Sequence, residues 1–163
     1  MKRVLVCLAL SATVLAAACG GSGGSSDNCP AAKTAMLQSF EAFGTLAQDP
    51  AIQQCIQLQQ TNCPCPGGGT AVANIAQLTL TLTSCKDANG NTFSGVFTFS
   101  PDMVTLSADV PVFGSCTNGT ASDIHAGTGC GGTISGTCSG ANVSCDVVDD
   151  PNQPGSCTLN CSC

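Results

Sequence analysis

The sequence predicts a mainly β, α+β fold: a short N-terminal helical hairpin packed on an antiparallel β meander, with a disulfide-rich C-terminal β tail. Three observations carry this. Apolar residues recur at helical spacing between residues 30 and 59, then alternate at period two from residue 75 to 110. Residues 70–113 hold fourteen of the Leu, Ile, Val and Phe side chains and one cysteine, whereas residues 114–163 hold six and seven cysteines. The middle is therefore expected to be held by packing and the tail by bridges.

Asn28, Cys29 and Pro30 open the first helix, with proline at or near its first position, where the missing N–H costs little. Met36, Phe40, Phe43 and Ala47, widened by Leu37, trace its apolar face. Asp49 is a good cap and Pro50 a good first residue for a second helix. Its face runs through Ile52, Cys55, Ile56 and Gln59 until the stretch TNCPCPGGG ends it.

Ile75, Leu78, Leu80 and Leu82 begin the β pattern, with Thr79, Thr81 and Thr83 on the other face. The segment KDANGN, residues 86–91, carries an Asn-Gly pair suited to a hairpin turn. Phe93, Phe97 and Phe99 mark a second strand, and Val104, Leu106, Ala108 and Val110 lie opposite Thr105, Ser107 and Asp109 in a third. Such one-sided alternation predicts an antiparallel sheet with one face on a core, covered by the helices. Short β-like stretches near Ile124 and at 133–138, 143–148 and 157–163 extend the sheet or fold over an edge.

Twelve cysteines follow residue 28: Cys29, Cys55, Cys63, Cys65, Cys85, Cys116, Cys130, Cys138, Cys145, Cys157, Cys161 and Cys163. An even number in an exported chain predicts six disulfides. The tail holds an odd number, so at least one bridge must leave it. Cys85 and Cys116 follow the first and third predicted strands at one end of the meander, and are expected to pair. In CTLNCSC, residues 157–163, period two puts Cys157, Cys161 and Cys163 on one face. Neighbours two apart in a strand sit at the upper edge of disulfide reach, so each should find a partner elsewhere.

At the amino terminus, Lys2 and Arg3 precede a run, residues 4–18, that is apolar apart from Ser11 and Thr13 and ends in small side chains. This is the pattern of a secretory signal, and is shorter than the roughly 20 residues that span a bilayer. Leu15, Ala16, Ala17, Ala18 and Cys19 resemble the lipobox of bacterial lipoproteins, with Leu15 four residues before Cys19 and Ala16 where leucine is usual. The resemblance covers residues 1–28 and implies cleavage before Cys19, with acylation of its sulfur and new amino group. Acyl chains at about 0.8 kcal/mol per buried methylene then hold the protein on a lipid bilayer. Gly20, where some lipoproteins carry an aspartate that retains them at the inner membrane, points to the outer membrane of a bacterial cell envelope. Residues 20–28 are a Gly/Ser tether, leaving residues 29–163 as one domain. Cys7 leaves with the signal.

Cleavage before Cys19 leaves 145 residues and moves the side-chain charge from −6 to −8, with Lys33 and Lys86 the remaining basic residues besides His125. Two lysines build no phosphate-neutralising patch, and the chain has no Trp or Tyr for base stacking, which excludes nucleic acid as a partner. Polybasic attraction to anionic lipid fails on the same count. Leu, Ile, Val and Phe number 27 of the 145, a thin supply for a core without crosslinks.

Several motifs carry chemistry only in a context the sequence lacks. Gly20, Ser22 and Gly24 match G-x-S-x-G without the flanking strand and helix. Gly127, Gly129 and Gly132 match G-x-G-x-x-G, yet β-like sequence follows and Cys130 is expected in a bridge. His125 is the sole histidine and Glu41 the sole glutamate; a triad would have to use Asp123, too near in sequence to His125 to face it productively. The C-x-C pairs at 63–65 and 161–163 suit a soft metal or thiol redox chemistry only as free thiolates. Asp146, Asp149, Asp150 and Asn152 are weak calcium candidates without the spacing of an EF-hand loop. Asn118 and Asn142 sit in N-x-[S/T] sequons. The expectation is a non-enzymatic, cofactor-free structural or interaction module, with a metal-binding or thiol-redox envelope protein as the alternative.

Overall fold

A computed structural model describes residues 28–58, 60–101, 105–125, 129–152 and 156–163. The signal segment, Cys19 and the tether up to residue 27 lie outside the described residues, as do Gln59, Val104 and Gly127. Among the described residues no helix is long and apolar enough to cross a membrane.

Helix α1 spans Cys29–Ala47, with Pro30 in its first turn. Its hydroxyl side chains are satisfied inside the helix: Thr34 donates to the Pro30 carbonyl at 3.0 Å and Ser39 to the Ala35 carbonyl at 2.8 Å. The buried face is Ala32, Ala35, Met36, Ser39, Phe40, Gly44 and Leu46. Leu46 takes the core position expected of Ala47, which is half-buried, because the larger apolar side chain gains more from burial. Helix α2, Pro50–Leu58, starts as expected: the Asp49 carboxylate accepts the Ala51 N–H at 2.8 Å. Ile52 and Cys55 are buried and Ile56 is half-buried.

The strands form one nine-stranded antiparallel sheet in sequence order. They are β1 Cys63–Pro64, β2 Thr70–Asn74, β3 Thr79–Lys86, β4 Thr92–Phe99, β5 Thr105–Phe113, β6 Cys116–His125, β7 Gly131–Cys138, β8 Ala141–Asp149 and β9 Cys157–Ser162. The antiparallel meander is larger than the three strands expected between residues 75 and 110: β6 to β9 continue the same sheet, so of the two arrangements expected for the tail it extends the sheet rather than folding over an edge. Ser139 and Gly140, both at positive φ, form a two-residue loop between β7 and β8, the turn whose twist matches the strands. Strand β2 was hidden by its inward residues, Ala71 and Ala73, which are small and sit under α2. Ile75, expected to open a strand, is exposed in the turn before β3.

Helix α2 contacts β1 and β2, while α1 contacts β5 to β9. Four phenylalanines form the centre of the core. Phe43 stacks on Phe97 with centroids 4.6 Å apart and meets Phe93 and Phe113 at 5.7 Å. Such pairs contribute about 0.5–1.5 kcal/mol each beyond area burial. The tail is packed as well as bridged, because Ile124, Ile134, Val143, Val147 and Leu159 are all buried. Gly136 leaves room for Met36, whose terminal methyl lies 3.4 Å from where a Cβ would stand. Ser39, itself buried, accepts the Ser115 N–H at 3.2 Å and so ties α1 to the β5–β6 turn.

Candidate functional site

All twelve cysteines of the described chain are paired, as Cys29–Cys163, Cys55–Cys63, Cys65–Cys85, Cys116–Cys138, Cys130–Cys157 and Cys145–Cys161. The expected Cys85–Cys116 bridge is wrong. Strand register decides: Cys116 lies directly opposite Cys138 and Cys145 opposite Cys161, with Cα–Cα distances of 4.3 and 4.0 Å. These are closely approached cross-strand positions, where two cysteines meet without moving the backbone. Cys85 instead meets Cys65 because the glycine run folds back on β3. The Gly67 N–H donates to the Lys86 carbonyl and the Lys86 N–H to the Gly68 carbonyl, at 2.9 and 2.8 Å. Gly69, at φ +83°, must lack a side chain, since a Cβ would collide with the Ser84 carbonyl.

Both C-x-C pairs are divided between bridges. Cys63 goes to Cys55 and Cys65 to Cys85, while Cys161 goes to Cys145 and Cys163 to Cys29. The one bridge that leaves the tail, Cys29–Cys163, joins the first turn of α1 to the residue after β9. Three bridges therefore hold β9 and its end, as the one-face spacing in CTLNCSC predicts.

The remaining candidates are dispersed. The exposed His125 ring meets the backbone carbonyl of Asp123 at 2.8 Å, not its carboxylate. The Asp149 carboxylate accepts the Cys130 N–H at 2.9 Å, Asp150 accepts the Asn152 N–H at 2.8 Å, and Asp146 stands on the outer face of β8. Among the described residues no three His, Cys, Asp or Glu side chains converge to hold a metal ion. Gly129 and Gly132 flank the bridged Cys130 and precede or open a strand rather than a helix. Asp87, not singled out in the sequence, is buried and organises the β3–β4 turn. Its carboxylate accepts the backbone N–H groups of Asn89 and Asn91 at 2.9 and 2.8 Å and the Asn91 side chain at 2.7 Å.

Two concave features among the described residues contrast in their chemistry. One is a gap of about 30 Å³ under α1, walled by Phe40, Phe43, Leu106, Ala108, Ala121 and Ile124 among others. One water would fit by volume but would find too few polar partners, so the gap is a packing defect rather than a ligand site. The other is a shallow depression of about 440 Å³ on the outer face of β6 to β9. Asn118, Ser135, Thr137, Asn142, Ser144 and Ser162 line it with hydroxyls and amides. Alternation puts these polar residues on the face opposite Ile134, Val143 and Leu159, so the polar composition was legible in the sequence and the curvature was not. No family model, curated protein or solved structure matches the chain.

Proposed function

We propose that this chain is a lipid-anchored protein of the bacterial cell envelope, held through acylated Cys19 and acting as a non-catalytic interaction module. The carrying observation is the closed set of six disulfides, a state stable in an oxidising space and foreign to a reducing cytosol. The segment ending in Ala16, Ala17, Ala18 and Cys19 supplies the export signal and the acceptor, and residues 20–28 supply the tether. Gly20 favours the outer membrane. An interaction role is supported over catalysis because the sole histidine is exposed and bound to a backbone carbonyl. It is supported over metal or thiol chemistry because each sulfur of the two C-x-C pairs is committed to a different partner.

Metabolic labelling with a palmitate analogue tests the anchor. Wild-type protein should carry label and sediment with membranes, whereas Cys19→Ala should be unlabelled and soluble. Label retained by Cys19→Ala would refute the assignment. Counting thiols in unreduced processed protein tests the module: none is expected, and two or more reactive thiols would favour the metal or redox reading.

A further inference from the structure

We propose that the depression on the outer face of β6 to β9 binds a neutral oligosaccharide. Its floor carries a ladder of consecutive cross-strand partners, Ser135, Ser144 and Ser162, one per strand, which Thr120 on β6 continues along the same face beyond the lining. Beside it Thr137 and Asn142 form a second row, with Thr117 next to Thr137 outside the lining. Strands lie about 4.8 Å apart, so the face presents hydroxyls and amides at regular intervals over three gaps, about 14 Å. Both kinds of group donate and accept, which is what the hydroxyls of a sugar require.

Part of the array is braced internally and part is left open. Thr120 and Ser135 share a hydrogen bond at 2.8 Å, and Thr137 donates to the Asn142 side-chain oxygen at 2.9 Å. That bond engages the Asn142 side-chain oxygen and leaves its amide nitrogen available. Among the described residues, that nitrogen, the Asn118 amide and the Ser144 hydroxyl have no protein partner. Asn118 brings a further amide to the depression. It sits in a bulge, where register slips between Thr117 and Thr120, at φ +52°. Asparagine tolerates this left-handed conformation better than other non-glycine residues, and a bulge re-aims the side chain it carries, here into the depression.

Charge selects the ligand class. The lining has no ionisable side chain apart from the bridged Cys163. The nearest acid along β8 is Asp146, two residues from Ser144, on a chain whose processed form carries −8. Anionic ligands are repelled, and nothing in the lining pairs with a cation. A volume of about 440 Å³ lies within the range of small-ligand sites. Cys163 also joins the rim to Cys29, where the tether enters, and nine tether residues reach at most about 30 Å. The identification of the ligand as an envelope glycan rests on the proposed anchor; the binding chemistry does not.

The test is calorimetry on the processed, lipidated protein in a zwitterionic detergent without a sugar headgroup. The probes are maltotetraose and tetra-N-acetylchitotetraose as neutral ligands and tetragalacturonate as the anionic one. At least one neutral probe should bind saturably below about 10 mM, and tetragalacturonate should not, by the charge argument. Asn118→Gly, which keeps the backbone permissive, Asn142→Ala and Ser144→Ala should each weaken binding about tenfold, the loss expected for one hydrogen bond. All three positions are exposed, and thermal unfolding with a thiol count verifies that each variant is folded. The proposal is overturned if neither neutral probe binds, if tetragalacturonate binds as well, or if folded variants keep wild-type affinity. Repeating the titration on Cys19→Ala separates the two readings, because binding there does not depend on the anchor.

Discussion

Removing the Cys29–Cys163 bridge as the double variant Cys29→Ser, Cys163→Ser should destabilise the domain almost wholly through the unfolded chain. Cys163 is exposed and Cys29 half-buried, so little packing is lost in the folded state. The bridge spans 134 residues, and loop-closure entropy assigns such a crosslink about 5 kcal/mol. The other five bridges short-cut that loop to about 70 residues, but the dependence is logarithmic and the contribution falls only to about 4 kcal/mol. By the same relation the eight-residue Cys55–Cys63 loop contributes about 2.5 kcal/mol. Denaturation in guanidinium chloride measures both the loss and the slope. The slope should rise, because the unfolded state of the variant is more expanded and exposes more surface. A loss below about 1 kcal/mol, or a loss of the full size with an unchanged slope, would refute the entropic reasoning.

Two further outcomes follow from packing and from the turn. Phe93→Ala empties a fully buried site against Phe43 and Phe113 and should cost about 3–5 kcal/mol in the same assay, leaving all six bridges intact by mass spectrometry. Asp87→Ala removes the acceptor of three hydrogen bonds and should cost about 1–3 kcal/mol, with Asp87→Asn recovering part of it because its amide oxygen still accepts. A neutral Asp87→Ala would mean that water replaces the carboxylate at the β3–β4 turn.

The strands that alternate cleanly were legible: Leu80 and Leu82 against their threonines, Phe93 and Phe97, and Val143, Cys145 and Val147 on β8 all face inward. Strand β2 was not, since Ala71 and Ala73 carry little β preference and their role appears only when α2 rests on them. Disulfide partners depend on register, which turn lengths and bulges set. Thus Cys116 and Cys138 meet only because β6 and β7 pair with slips at two places. Cys65 reaches Cys85 through backbone bonds of the glycine run, a contact that residue spacing does not encode. The polar face of β6 to β9 was readable as composition, while its depression depends on how the strands bend. The dispersal of Asp146, Asp149 and Asp150 likewise follows from the end of β8: Asp146 stands on the outer face within the strand, while Asp149 at its last position and Asp150 after it accept from Cys130 and Asn152.

The bond between the first and last cysteines of the domain also constrains how the protein is made. A chain delivered amino terminus first presents Cys29 to the oxidant long before residue 163 arrives, with Cys55 as the next thiol to appear. Oxidation in order of arrival would therefore trap Cys29 with the wrong partner, and would pair Cys63 with Cys65 across a proline. Productive maturation needs either a delay in oxidation or thiol exchange that undoes early errors, a process of minutes to hours without a catalyst. Yield in a host should accordingly track its capacity to reshuffle disulfides more than its capacity to form them.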